Sequence, residues 1–208
     1  MFQHLSAIHQ PLLWYHIEMK KAQEKKKVIK TGGKKQVVIV INGSGGVGKH
    51  SLIDFASNYY EIRDTSSIVP IKKLAMDIGW EGEYDEKGRR LLVDIKQALI
   101  RYNDLPTKYV VGEYKKFKAV EQDVMFVHIR EPEEIAKFRA IVPCKTVLIV
   151  RDGAPKWNID TEERTGEFQY DYIFDNSQPL EKTGPKFVKL IDKIRNSKAD
   201  LPLLENID

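Results

Sequence analysis

Val37-Val38-Ile39-Val40-Ile41-Asn42-Gly43-Ser44-Gly45-Gly46-Val47-Gly48-Lys49-His50-Ser51 is the stretch on which the reading of this 208-residue chain turns. Five consecutive β-branched residues fit a central strand covered on both faces. The glycines that follow let the backbone turn sharply and approach an anion closely, with loop and helix N–H groups directed at it. A lysine directly after the last glycine opens a helical stretch over residues 49–60 and supplies a mobile positive charge for the outer phosphates of a nucleotide. Gly43, Ser44, Gly45, Gly46, Val47, Gly48, Lys49, His50 and Ser51 are therefore the expected phosphate-binding segment, shaped for a polyphosphate.

Outward from this loop, β-branched runs alternate with segments of helical period, the pattern of an α/β domain with a parallel sheet. Residues 124–129, 146–150 and 172–174 read as further strands, and 71–78, 88–103, 131–141 and 180–196 as helices. Residues 104–117 are expected to form an exposed loop or edge segment, because Pro106 and the run Lys115, Lys116 and Lys118 break the pattern. The chain is 42% hydrophobic and 31% charged, enough apolar matter for one sizeable core and too much for a fibrous or disordered protein. Charges or glycines interrupt every apolar run well short of the roughly 20 residues that a membrane-spanning helix needs. A single cysteine, Cys144, precludes an internal disulfide, and it fits a reducing, cytoplasmic compartment with the thiol buried as a small apolar group.

The net charge of +4 is unevenly placed. Residues 1–36 hold eight lysines against Glu18 and Glu24, a net +6 that leaves −2 for the remainder. An acidic body argues against nucleic acid as a partner and leaves residues 1–36 as a basic, solvated extension of a domain over 37–208. Met19 opens a second lysine-rich start, so residues 1–18 are expected to be dispensable. No nucleophile elbow and no sequence-spaced His/Cys metal cluster is present, which removes serine-hydrolase, thiol and zinc chemistry from the expectation.

Within the loop, His50 stands where a Ser or Thr beside the lysine would touch magnesium, and the hydroxyl comes one residue later, at Ser51. This arrangement is followed by Arg63-Asp64-Thr65-Ser66-Ser67, then Asp85-Glu86-Lys87-Gly88-Arg89-Arg90, Arg130-Glu131-Pro132-Glu133-Glu134, and Tyr170 through Ser177. Taken in order, these segments resemble the short-lid, adenylate kinase-like nucleoside monophosphate kinases, and especially their deoxynucleoside branch, over roughly residues 37–194. The resemblance implies a three-layer P-loop kinase fold with a five-stranded parallel sheet, an acceptor-binding region at about 61–118 and a short lid at about 152–168. It implies ATP and Mg²⁺ as cofactors and transfer of the γ-phosphoryl group to a small phosphorylated acceptor, with no side-chain base because the acceptor phosphate is already ionised.

On this resemblance Lys49, Arg130, Arg151 and Arg164 are the catalytic cations. Arg63, Ser66, Arg89, Arg90 and Arg130 bind the acceptor, Asn176 lies by the adenine or caps the next helix, and Ser51 and Glu131 serve the magnesium ion, with Glu131 equally placed to orient arginines or to dress the start of its helix. Independently of it, Arg130 and Glu131 follow a strand's carboxyl end, the side on which ligands bind in an open α/β sheet. Arginine there offers a bidentate fork for a phosphate, which lysine does not. Glu133 and Glu134 are expected to dress the helix N-terminus, where acids complement the dipole. Other readings stay open: a non-nucleotide phosphorylated metabolite or dephospho-coenzyme A as acceptor, a non-catalytic nucleotide-binding regulator, or an ATPase acting on nucleic acid through the basic extension. Monomer and homodimer both fit the sequence.

Overall fold

The structure is a computed structural model that describes residues 35–154 and 168–197. Strands β1 (Val37–Asn42), β2 (Ile62–Ser66), β3 (Val124–His128), β4 (Lys145–Val150) and β5 (Tyr172–Asp175) form one sheet in the order β2-β3-β1-β4-β5, every pair parallel. Among the described residues six helices connect them: α1 (Lys49–Ala56), α2 (Val69–Asp77), α3 (Glu86–Asn103), α4 (Leu105–Lys118), α5 (Pro132–Ile141) and α6 (Leu180–Asn196). This is the α/β three-layer architecture expected from the sequence.

The two-residue period of a strand sends alternate β1 side chains to opposite faces. Ile39 and Ile41 pack with Leu52 and Ile53 of α1 and Phe187 and Ile191 of α6. Val38 and Val40 join Val110 and Phe117 of α4 and Ile135 and Phe138 of α5 on the other face. A third, smaller cluster of Ile71, Ala75, Trp80 and Leu92 holds α2 against α3. Because both faces are covered, β1 and β3 are apolar without alternation, which is why the sequence reads as continuous β-branched runs there.

The amino-terminal edge of the sheet is pinned by two acids. Asp123 accepts from the Glu61 backbone N–H (2.9 Å) and from Arg195 on α6 (2.8 Å). Asp171 accepts from the backbone N–H and the hydroxyl of Thr146, both at 2.8 Å, and from Arg139 at 3.1 Å. Cys144 lies at this edge, and burial pushes its thiol up to about 12, the inert small group expected of it.

Two parts of the sequence reading need correction. Residues 104–117 are not a loop: Leu105–Lys118 is helix α4. Pro106 sits in its first turn, where the missing N–H has no helical partner to lose. The joint with α3 is made by Asp104, left-handed at φ 53°, whose carboxylate takes the Thr107 hydroxyl (3.0 Å) and the Lys137 ammonium (3.2 Å). The strand β2 falls on the segment Ile62–Ser66, short and polar enough that no strand is evident from its residues alone. Residues 1–34, most of the expected lid and Arg164 lie outside the described residues.

Helices α1 and α6 meet so closely at Gly184 that a Cβ there would lie 2.7–2.8 Å from ring atoms of Phe55. Gly184→Val is expected to lower stability by about 2–3 kcal/mol through overpacking. The check is urea unfolding, with a lower midpoint at unchanged slope; an unchanged midpoint would mean the Phe55 ring swings aside freely.

Candidate functional site

The site is built at the carboxyl ends of the strands, beginning with Asn42, the last residue of β1 and 2% exposed. Its Nδ2 donates to the Arg130 carbonyl (3.0 Å) and to the Tyr170 phenol oxygen (2.7 Å), while its Oδ1 accepts from the Gly43 N–H (2.8 Å). One amide therefore joins the start of the glycine loop to the segments that follow β3 and precede β5. Burial lifts the Tyr170 phenol above its ordinary value, against the opposing pull of Asn42, so it stays neutral in this bond.

The loop then runs through positive φ at Gly43 (137°), Gly46 (82°) and Gly48 (88°). Close approach makes two of these glycines obligatory: a Cβ on Gly43 would collide with the Ile149 carbonyl oxygen of β4, and one on Gly48 would lie 2.5 Å from Asn176 Nδ2. Lys49 Nζ turns back over the loop, donating to the carbonyls of Gly43 and Ser44, the latter at 2.9 Å. Its charge is thus held at the mouth of the backbone cradle. Helix α1 starts at Gly48 with no side-chain cap and no acid of its own in its first turn, which leaves its leading N–H groups open to an anion. Ser51 is exposed in that first turn.

Arg130 and Arg151 follow the two strands that flank β1, and both are exposed. Arg151 Nη1 lies 3.9 Å from the position a Gly48 Cβ would take, beside the start of α1. The chain leaves β1 toward β2 and leaves β4 toward the opposite edge at β5, the divergence that opens a ligand crevice in sheets of this kind. Ser66, at the end of β2, donates to the His128 carbonyl (3.2 Å). Arg89 Nε donates to the Tyr84 carbonyl (2.8 Å) near the start of α3, and Arg90 is exposed one residue on.

Four of the expected roles change. Asn176 is 4% exposed and spends its Nδ2 on the Val47 carbonyl (2.7 Å), so it props the loop from β5 instead of facing a base. Arg63 sits near the amino end of β2, where Glu113 (2.7 Å) and Gln122 (3.0 Å) hold it, and it leaves the acceptor set. Glu131 is bound by Lys96 of α3 at 2.5 Å, and Glu134, expected as exposed helix dressing, is 5% exposed and bound by the same ammonium at 2.7 Å. A carboxylate already compensated by a buried ammonium is poorly placed to take a magnesium ion as well. The two acids divide their charge. Burial acts upward on both, but the hydrogen bond with Glu134 and the Lys96 charge hold Glu131 below its ordinary value. For Glu134, burial and the Glu131 bond outweigh Lys96 and push it up to about 7. Its Oε1 is buried with no hydrogen-bond partner among the described residues.

One cluster was not visible in the sequence. His128 Nε2 lies 2.8 Å from Asp64 Oδ1, and His50 Nδ1 lies 3.9 Å from Asp64 Oδ2, with the two imidazoles stacked at 5.2 Å. The only signal for it was the odd identity of residue 50, since the three residues come from α1, β2 and β3.

Searches with family models and among curated proteins found no match to this chain. Similar solved structures include TT1252 from Thermus thermophilus, 14% identical over 77% of this chain and 99% of that one, with a TM-score of 0.46. Shikimate kinase from Bacteroides thetaiotaomicron is 14% identical over 76% and 97% (TM-score 0.40), and a gluconokinase from Sinorhizobium meliloti 1021 is 13% identical over 78% and 95% (TM-score 0.41). No helix among the described residues is long and apolar enough to cross a membrane.

The Glu134 shift has a pH signature. Between about 4.5, the ordinary carboxyl value, and about 7 the folded protein retains a proton that the unfolded chain releases. Stability from this group is therefore complete at the acid end of that window, falls as pH rises through it, and is level above it. Glu134→Gln is expected to flatten this fall in urea midpoints measured from about pH 5 to about pH 8. Parallel wild-type and variant profiles would show that Glu134 titrates normally.

Proposed function

We propose that this chain is an ATP-dependent phosphotransferase that moves the γ-phosphoryl group of ATP onto the phosphate of a nucleoside or deoxynucleoside monophosphate. The observation that carries the reading is the glycine cradle with Lys49 Nζ over its mouth, flanked by Arg130 and Arg151 from the strand ends on either side of β1. The positive-φ glycines and uncapped helix start fit a polyphosphate, and the exposed Ser51 hydroxyl fits an outer contact to a magnesium ion held on it. Magnesium, when bound, would supply charge neutralisation between the β and γ phosphates.

In this reading Lys49 draws negative charge off the phosphates as the bond to the leaving oxygen lengthens. Arg151, beside the start of α1, and Arg164, from the proposed lid, stabilise the transferring group. Arg130 clamps the acceptor phosphate, with Ser66, Arg89 and Arg90 as further acceptor contacts. Positioning and charge stabilisation do the catalysis, and no general base is needed. The choice of a nucleotide as acceptor rests on the resemblance of the segments around Ser66, Gly88, Arg130 and Tyr170 to monophosphate kinases.

The test is ADP release from ATP and Mg²⁺ with a panel of ribo- and deoxynucleoside monophosphates, dephospho-coenzyme A and phosphorylated metabolites. Stimulation by a nucleoside monophosphate is the expected result; stimulation by a non-nucleotide alone would replace the acceptor, and ATP binding without turnover would replace the activity. Lys49→Ala should cut kcat/KM by about 10²-fold or more with the fold retained. Arg130→Ala should raise the KM for the acceptor well above any change for ATP, and an effect confined to ATP would reverse that assignment.

A further inference from the structure

We propose that His50, Asp64 and His128 form a binding site for one divalent transition-metal ion of the zinc class. The ligands come from three elements that the fold fixes independently: the first turn of α1, the middle of β2 and the last residue of β3. Asp64 pairs in register with Phe126, so His128, two residues on, projects from the same face of the sheet. Phe126 belongs to the cluster that packs α1, which places both side chains on the side where His50 begins that helix.

One ligand atom from each of the three residues lies within 4.8 Å of the others. A tetrahedral ion with bonds of about 2.0–2.1 Å holds its ligand atoms roughly 3.3 Å apart. His128 Nε2 and Asp64 Oδ1, at 2.8 Å, are nearly at that spacing, and the side chain that must close the remainder is His50, 79% exposed and able to turn in. The other two side chains are 14% and 34% exposed for His128 and Asp64, so the strand half of the site is the sheltered, preformed half.

The donor set selects the ion. Two imidazoles and one carboxylate suit zinc, nickel or cobalt, whereas magnesium and calcium take oxygen ligands and would gain nothing from the histidines. Without an ion, His128 and Asp64 make one hydrogen bond and the His50 ring is left with stacking on His128 and a 3.9 Å approach to Asp64; a metal ion would engage a ligand atom of all three side chains at once. Three protein ligands leave a coordination position for water or an anion, the open form of such sites. His50 directly follows Lys49, so an ion here would fix the first turn of α1 to β2 and β3 beside the phosphate loop. The inference does not depend on the reaction proposed above.

The test uses the full chain with His4, His9 and His16 replaced by Ala, which leaves His50 and His128 as its only imidazoles. Metal-stripped protein is titrated with Zn²⁺ by equilibrium dialysis and with Co²⁺ by optical absorption, without nucleotide. One equivalent is expected, insensitive to excess Mg²⁺, with a Co²⁺ ligand-field spectrum of low coordination number. His50→Ala, Asp64→Asn and His128→Ala should each weaken binding about tenfold or more, since even outer-sphere partners carry about 10–100-fold in metal affinity. Lys49→Ala should leave it unchanged, separating this site from the phosphate loop. No uptake by the parent, or full uptake by His50→Ala, would overturn the proposal; residue 50 is exposed, so that variant tests the site without risk to the core.

Discussion

The Asn42 side chain is the contact on which the functional end of the molecule depends. Its amide is buried at the end of the central strand and uses both donor directions and its acceptor, on the Arg130 carbonyl, the Tyr170 phenol and the Gly43 N–H. A buried amide with unmade bonds costs about 1–3 kcal/mol, so the three partners are held to one arrangement. That arrangement sets where the loop begins and where Arg130 leaves β3. Asn176 does the corresponding work from the other side, holding the Val47 carbonyl while its own N–H bonds Val150. The glycine loop is therefore suspended between two asparagines, one before it and one just after the far strand.

This suspension explains why glycine is required where it is. The loop passes so near β4 and Asn176 that a side chain at 43 or 48 has no room, and the positive φ values at both positions exclude other residues a second time. What remains at the mouth is backbone N–H and the Lys49 ammonium. The shape of the glycine loop is thus a product of packing beneath it as much as of its own sequence.

How much of this the sequence disclosed follows from how local each feature is. Residues 37–51 carry strand, turn and helix signals in immediate succession, and all three were legible. The two-faced core was also legible, because burial on both sides removes the polar alternation from β1 and β3. Leu105–Lys118 was not, since Pro106 reads as a breaker unless its place in a first turn is known. Arg63 and Glu131 were misplaced for a shared reason: a charged residue near a functional segment looks available until its partner is located, and Glu113 and Lys96 lie 50 and 35 residues away. His50, Asp64 and His128 were beyond reach in the same way, because only the β2–β3 register brings two of them to one face. Asn176, expected beside the adenine, instead spends its side-chain donor on the Val47 carbonyl.

The Lys96 contact also bears on how the molecule can move. Lys96 lies on α3, within the region expected to hold the acceptor, while Glu131 and Glu134 lie where β3 passes into α5. Sliding α3 away from the sheet would strand a buried ammonium on one side and at least one carboxylate on the other, and separating such a pair costs about 3–5 kcal/mol. The ion cluster therefore acts as a strut. It ties the middle of α3 to the start of α5 by charge as well as by packing, so the two helices are held as one stiff side of the sheet.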